Sequence, residues 1–186
     1  MKKRMWVTVA VCLALIVSAP AVLAQDTDKK DKKRGKIDAR SSEVLDKVLG
    51  ESANAKELYD KAMGYAVFDN TKIMLGVSGG GGSGVAVEKS SGTRTYMKMG
   101  TAGVGFGIGA KKYQVIMLFD NEKVFQNFVD KGWQADAQAG AAAGSKGVAA
   151  KTTFHDGMAV FVRTKKGLMA SADVSGTKYW KSDLND

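Results

Sequence analysis

Gly103-Val104-Gly105-Phe106-Gly107-Ile108-Gly109 alternates bare and apolar positions with a period of two, the side-chain period of a strand. Val104, Phe106 and Ile108 then share one face, while Gly103, Gly105, Gly107 and Gly109 leave the other nearly empty. Each interior glycine costs roughly 0.5–1 kcal/mol relative to alanine, so four in register imply a geometric need. Either another layer packs against the bare backbone, or the space holds something slender such as an acyl chain. The heptapeptide closes a longer stretch, Gly76 to Gly109, in which 12 of 34 residues are glycine.

Two phosphate-loop readings of the glycines fail. Gly79, Gly81 and Gly84 fit G-x-G-x-x-G, but Val85-Ala86-Val87 followed by Ser90-Ser91-Gly92 reads as a strand and turn rather than the helix a dinucleotide fold requires. Gly140 to Lys146 has the residue types of a P-loop in the wrong order and spacing.

Outward toward the N-terminus, Met1 to Ala24 has a basic start (Lys2, Lys3, Arg4), an apolar run from Trp6 to Val17, and Val22-Leu23-Ala24 before Gln25. This is the pattern of a secretory signal peptide cleaved after Ala24; the run is short of the ~20 residues a spanning helix needs. Export to the periplasm or outer envelope is the expectation. Cleavage removes the single cysteine, Cys12, and the single proline, so no disulfide contributes and one core must suffice. The formal charge of +9 falls by three and stays positive.

Gln25 to Lys36 is charged and apolar-free, with Lys29, Lys30, Lys32, Lys33, Arg34 and Lys36 crowded around Asp31. It reads as a disordered leader, either a solvated spacer or an element drawn to an anionic membrane surface. From Ile37 to Asp186 there is room for one domain. Ile37, Val44, Leu45, Val48 and Leu49 predict a first helix ended by Gly50. Asn54 with Glu57 predicts a capped second helix whose stripe is Ala55, Leu58, Tyr59, Ala62 and Met63.

Six short strands follow in the pattern: Tyr65–Phe68, Ile73–Val77, Val85–Glu88, Thr93–Met99, Gly103–Gly109 and Tyr113–Phe119. Turn signals separate them at Asp69-Asn70, Gly79 to Gly84, Ser90-Ser91-Gly92 and Lys111-Lys112. Val115 to Phe119 is apolar at every position, which places it at the centre of the sheet with both faces buried. Asp120 or Asn121 caps a third helix bearing Val124, Phe125, Phe128 and Val129, closed by Lys131-Gly132. Ala135 to Ala150 has no period and reads as a loop or thin strand; Met158–Arg163 and Leu168–Val174 form two last strands. The fold class is α+β: an antiparallel glycine-rich sheet, sandwich-like or barrel-like, with two N-terminal helices and one further helix packed on it.

These segments in this order resemble the SYLF (BPFP) lipid-binding domain family, most of all its bacterial secreted members. The residues that carry the likeness are Lys61-Ala62-Met63-Gly64-Tyr65-Ala66-Val67-Phe68, Gly81-Gly82-Ser83-Gly84-Val85, the Gly103–Gly109 alternation with Val115–Phe119, Lys166-Gly167-Leu168-Met169-Ala170, and Gly176-Thr177-Lys178-Tyr179-Trp180. The resemblance covers roughly Ile37 to Asp186. It implies a non-enzymatic domain that binds phospholipid; no individual lipid-contact residue is carried over from the family.

The residues themselves point away from catalysis. His155 is the only histidine, no nucleophile sits with a recognisable base, and metal-ligand spacing is absent. His155 reads as a strand-end or loop residue, and Asp69, Asp120 and Asp156 as turn residues bonding the backbone. The expectation is a cofactor-free module for anionic phospholipid, with no role for nucleic acid. Its electrostatic contacts are the leader's basic residues with Lys111 and Lys112, and Gly103, Gly105, Gly107 and Gly109 offer the acyl slot. The alternative is a structural envelope protein that binds a protein partner.

Overall fold

A computed structural model describes residues 19–135, 152–165, 167–170 and 176–186. Helix α1 (Ala19–Glu51) and helix α2 (Ala53–Lys61) precede two long strands, β1 (Gly64–Glu88) and β2 (Arg94–Phe119). Helix α3 (Glu122–Lys131) follows, then β3 (Trp133–Ala135), β4 (Met158–Thr164), β5 (Gly167–Ala170), β6 (Thr177–Lys181) and a 3-10 turn at Asp183–Asn185. The α+β class with its antiparallel sheet is as the sequence predicts.

The six short strands of the sequence reading merge into two. β1 and β2 form one antiparallel ribbon paired from Gly64↔Phe119 to Val87↔Arg94, turned at its end by Gly92 at φ +70°. The other turn signals do not turn the chain, which stays paired in the ladder through all of them. Asp69 lies opposite Gln114, whose amide nitrogen donates to it at 3.1 Å, and Asn70 lies opposite Tyr113 in the core. Asp69 is therefore a strand residue and not a turn residue. Asp156 does occupy a turn, at φ 51°, and His155 bridges Met158 at a strand end with its ring exposed.

Register breaks once. Leu75 faces Ile108 and Val77 faces Val104, so β2 carries extra residues within the Gly103–Gly109 alternation, a bulge of the kind that bends a ribbon. Beyond it the ribbon lies back across its own first half. A Cβ on Gly80 would come within 2.9 Å of Lys72 Cα, and one on Gly82 within 2.9 Å of Asn70 Cα; one on Gly84 would overlap the Val67 carbonyl oxygen. The glycine ladder that close approach requires is thus Gly80, Gly82 and Gly84.

The opposite edge of β2 carries β6 along Met97–Thr101 and β4 along Tyr113–Phe119, with β3 outside β6 and β5 outside β4. The sheet stays open, in the order β3-β6-β2-β4-β5 with β1 on the far edge of β2. Folding the ribbon over makes two cores. Ala66, Phe68, Val115, Met117 and Phe119 of its first half meet Ala86, Met97 and Met99 of the second and Tyr179 of β6, closed by Phe125, Phe128 and Val129 of α3. On the other face Val67, Ile116, Leu118 and Phe161 lie under Val44, Leu45 and Val48 of α1 and Leu58 of α2. Val115–Phe119 is buried on both faces, as its unbroken apolar run predicts.

Helix ends follow local chemistry. The Asn121 side chain accepts from Val124 N at 3.0 Å to cap α3. For α2 the cap is Ser52, accepting from Ala55 N at 3.1 Å, and Asn54 instead bonds the Thr152 backbone through both ends of its amide. Gln25–Lys36, expected to be disordered, lies within the unbroken α1. Lysine is a good helix former, Asp28–Lys32 and Asp31–Arg34 pair one turn apart at 2.7 and 3.1 Å, and Arg34 ties this part of the helix to the domain. The signal-peptide reading falls mostly on residues 1–18, and the Ala135–Ala150 reading mostly on residues 136–151, all outside the described residues.

Candidate functional site

Helix α1 sorts the leader's basic residues by spacing. Side chains that recur at intervals of four and three residues share a helix face. Lys30, Arg34, Ile37, Ser41, Val44 and Val48 follow one such series, and their exposure falls along it until Val44 and Val48 are in the core. Arg34 donates through Nε to the Leu184 carbonyl at 2.7 Å and through a terminal nitrogen to the Asp186 carbonyl at 3.2 Å, with its guanidinium 5.8 Å from the Tyr96 ring centroid. It holds the domain together and has little left for a ligand.

Lys29, Lys33, Lys36 and Arg40 follow the parallel series along the flank. The three lysines are exposed and form no ion pair among the described residues, whereas Lys32, off this line, is tied to Asp28. Arg40 anchors the stripe to the sheet. It donates to Glu43 at 2.8 Å and to Asp69 at 3.1 Å, and hydrogen bonds to Glu43 and then Asp69 raise its pKa. The helix's opposite flank faces the hairpin end, where Asp38 meets Arg94 at 2.8 Å and accepts from the Tyr96 hydroxyl at 2.9 Å. Between stripe and sheet lies a cleft of about 230 Å³ lined by Lys36, Arg40, Ser41, Val67, Asp69 and Ser83.

Lys111 and Lys112 lie elsewhere, near the bend of the ribbon. Lys111 stands directly opposite Lys72, and Lys112 opposite Thr71. None of the three lysines has an ion-pair partner among the described residues. Just beyond them Ile73, Leu75 and Ile108 are 53%, 66% and 87% exposed. The alternation puts Ile108 on an apolar strand face without saying whether that face is covered, and Ile73 and Leu75 read as core like other apolar strand residues; the fold-back of the ribbon leaves all three uncovered.

Of the glycines proposed to face an acyl chain, Gly103 lies beside Ser78, whose hydroxyl oxygen would stand 3.3 Å from a Cβ there, and Gly109 opens onto free space. The surroundings of Gly105 and Gly107 lie outside the described residues. His155 forms no ion pair among the described residues; its ring lies 3.3 Å from the Thr153 hydroxyl.

Residues 100–185 match the family described as Ysc84, Las17-binding protein actin regulator. They take in β2 from Gly100 onward, α3 and every later strand. The chain is also 41% identical over 144 residues to Beta cell expansion factor A of Aeromonas veronii, a match that covers 77% of this chain and 55% of that protein. Residues 100–185 thus form a domain of the Ysc84/SYLF family.

Proposed function

We propose that this is a non-enzymatic domain of an exported envelope protein that binds anionic phospholipid at a membrane surface. The observation that carries the reading is the flank of α1, where Lys29, Lys33 and Lys36 project to solvent in line without ion-pair partners among the described residues. Solvated lysines near an anionic bilayer contribute ~1 kcal/mol each, so three in line favour adsorption of the helix along the surface. The resemblance to SYLF lipid-binding domains supports the same reading. Among the described residues no helix is long and apolar enough to cross a membrane.

Sedimentation with vesicles tests it. The protein should pellet with phosphatidylglycerol vesicles and stay in solution with phosphatidylcholine alone. Equal absence from both pellets would remove the reading and leave a structural envelope protein with a protein partner.

A further inference from the structure

We propose that the bend of the β1–β2 ribbon is a membrane-inserting tip, in which Ile73, Leu75 and Ile108 enter the acyl region while Lys72, Lys111 and Lys112 hold lipid phosphates around it. The inference rests on the lipid-binding reading above and adds a second, apolar element to it.

The register places the parts. Leu75 faces Ile108 and Ile73 faces Ala110. Cross-strand partners share a face, so the three large apolar side chains form one strip at the end of the ribbon. They are among the most exposed large apolar side chains described. Isolated exposed leucines need no explanation, but contiguous ones rimmed by charge mark an interaction surface. The rim is immediate: Lys112 lies one pair further in on the same face, opposite Thr71, and Lys72 opposes Lys111 on the other.

That last pair decides the partner. Like charges directly opposite on neighbouring strands repel, and no carboxylate among the described residues offsets Lys72 and Lys111. Their placement is stabilised by an anion supplied from outside. A second copy would bring the same lysines and add repulsion. An anionic bilayer supplies both what the lysines lack and an apolar phase one residue pair deeper, at the depth of Ile73.

The tip and the α1 stripe also face the same way. Arg40, fourth in the stripe, reaches Asp69 on β1, and from Asp69 the strand continues past Thr71 to Ile73 and Leu75, about 13 and 20 Å further at the usual rise of a strand. The helix's other flank is turned to Arg94 and Tyr96 at the hairpin end. One approach to a bilayer therefore brings the stripe down on the surface with the tip beside it.

An environment-sensitive fluorophore tests insertion directly. In the full chain with Cys12→Ser, Ile108→Cys and Asn127→Cys each give one labelling site; Asn127 is exposed on α3, which covers the opposite face of the ribbon. With phosphatidylglycerol vesicles the label at position 108 should shift to the blue and be quenched by brominated acyl chains, and the label at 127 should do neither. A second protein, Ile73→Ser with Leu75→Ser and Ile108→Ser, changes only exposed side chains and should keep its unfolding midpoint while losing about tenfold or more in vesicle partition. Pelleting with vesicles without any shift at 108 overturns the tip and leaves lipid binding intact. No pelleting at all removes lipid binding and the tip together. A blue shift at 108 that grows with protein concentration in the absence of vesicles also overturns it, since the strip would then be covering itself with a second copy.

Discussion

Gly84 stands so close to Val67 that a Cβ at position 84 would overlap the Val67 carbonyl oxygen and come within 2.5 Å of the Phe68 ring. Gly84→Ala must push the two halves of the ribbon apart, and overpacking of this kind costs typically about 1–3 kcal/mol. Three residues earlier on the same strand, Gly81 would place a Cβ 3.6 Å from the Met99 carbonyl, an ordinary contact. Denaturant unfolding should show Gly84→Ala clearly destabilised and Gly81→Ala near wild type. Equal effects at the two positions would mean the ribbon does not double back on its glycines.

Acid should loosen the C-terminal turn. Hydrogen bonding from Lys98, then from Ser182, lowers Asp183 from 3.8 to about 2. A carboxylate depressed in the folded state contributes stability that is fully present above its unfolded value and lost as pH falls through the folded one. The thermal midpoint of wild type should exceed that of Asp183→Asn at neutral pH, and the gap should close between about 3.8 and about 2. A gap independent of pH would show that the side chain acts by packing or by capping alone.

Arg34 links the middle of α1 to residues 150 and 152 positions away in the chain. Arg34→Ala leaves the Leu184 and Asp186 carbonyls without that donor. At a partly exposed site this costs about 1 kcal/mol. Amide exchange should accelerate over Gln25–Lys36 and over Asp183–Asn185 while Val115–Phe119 stays protected. Unchanged exchange in the helix would show that α1 is held by Val44, Leu45 and Val48 alone.

The parts of the fold that sequence made legible are those where one local rule decides. Alternation located the strands, the unbroken run Val115–Phe119 announced a strand covered on both faces, and Asn121 capped α3 where expected. The rule failed where tertiary partners outcompete it. Asp69-Asn70 has turn chemistry, yet Asp69 gains Arg40 and Gln114 by staying in the strand. The charged leader looks disordered by composition, yet its ion pairs lie one turn apart and Arg34 finds carbonyls that only the folded C-terminal turn presents. The binding surface was legible in charge but not in geometry: nothing local says that Arg34 is occupied or that Lys36 is free. Ile73 and Leu75 read as core because the sequence carries no record of where the ribbon folds over.

The sharpest test of that surface separates position from net charge. Lys33→Gln with Lys36→Gln and Lys30→Gln with Lys32→Gln each remove two charges from the same dozen residues. A disordered leader would not distinguish them, since a flexible tail presents every lysine to the bilayer in turn. On a helix they differ: Lys33 and Lys36 lie on the free flank, whereas Lys30 is turned toward the domain and Lys32 is held by Asp28. At ~0.15 M salt the Debye length is about 8 Å, so a lysine on the far side of a helix about 10 Å wide is largely screened from a surface touching the near side. The first pair should therefore weaken binding to phosphatidylglycerol vesicles by about 2 kcal/mol, at ~1 kcal/mol per lysine, and reduce its salt dependence, while the second pair changes both by less than half as much. Raising salt should bring wild type toward the Lys33/Lys36 protein. Equal losses from the two pairs across a salt series would mean that the helix does not present its flank to the membrane and that only total charge counts.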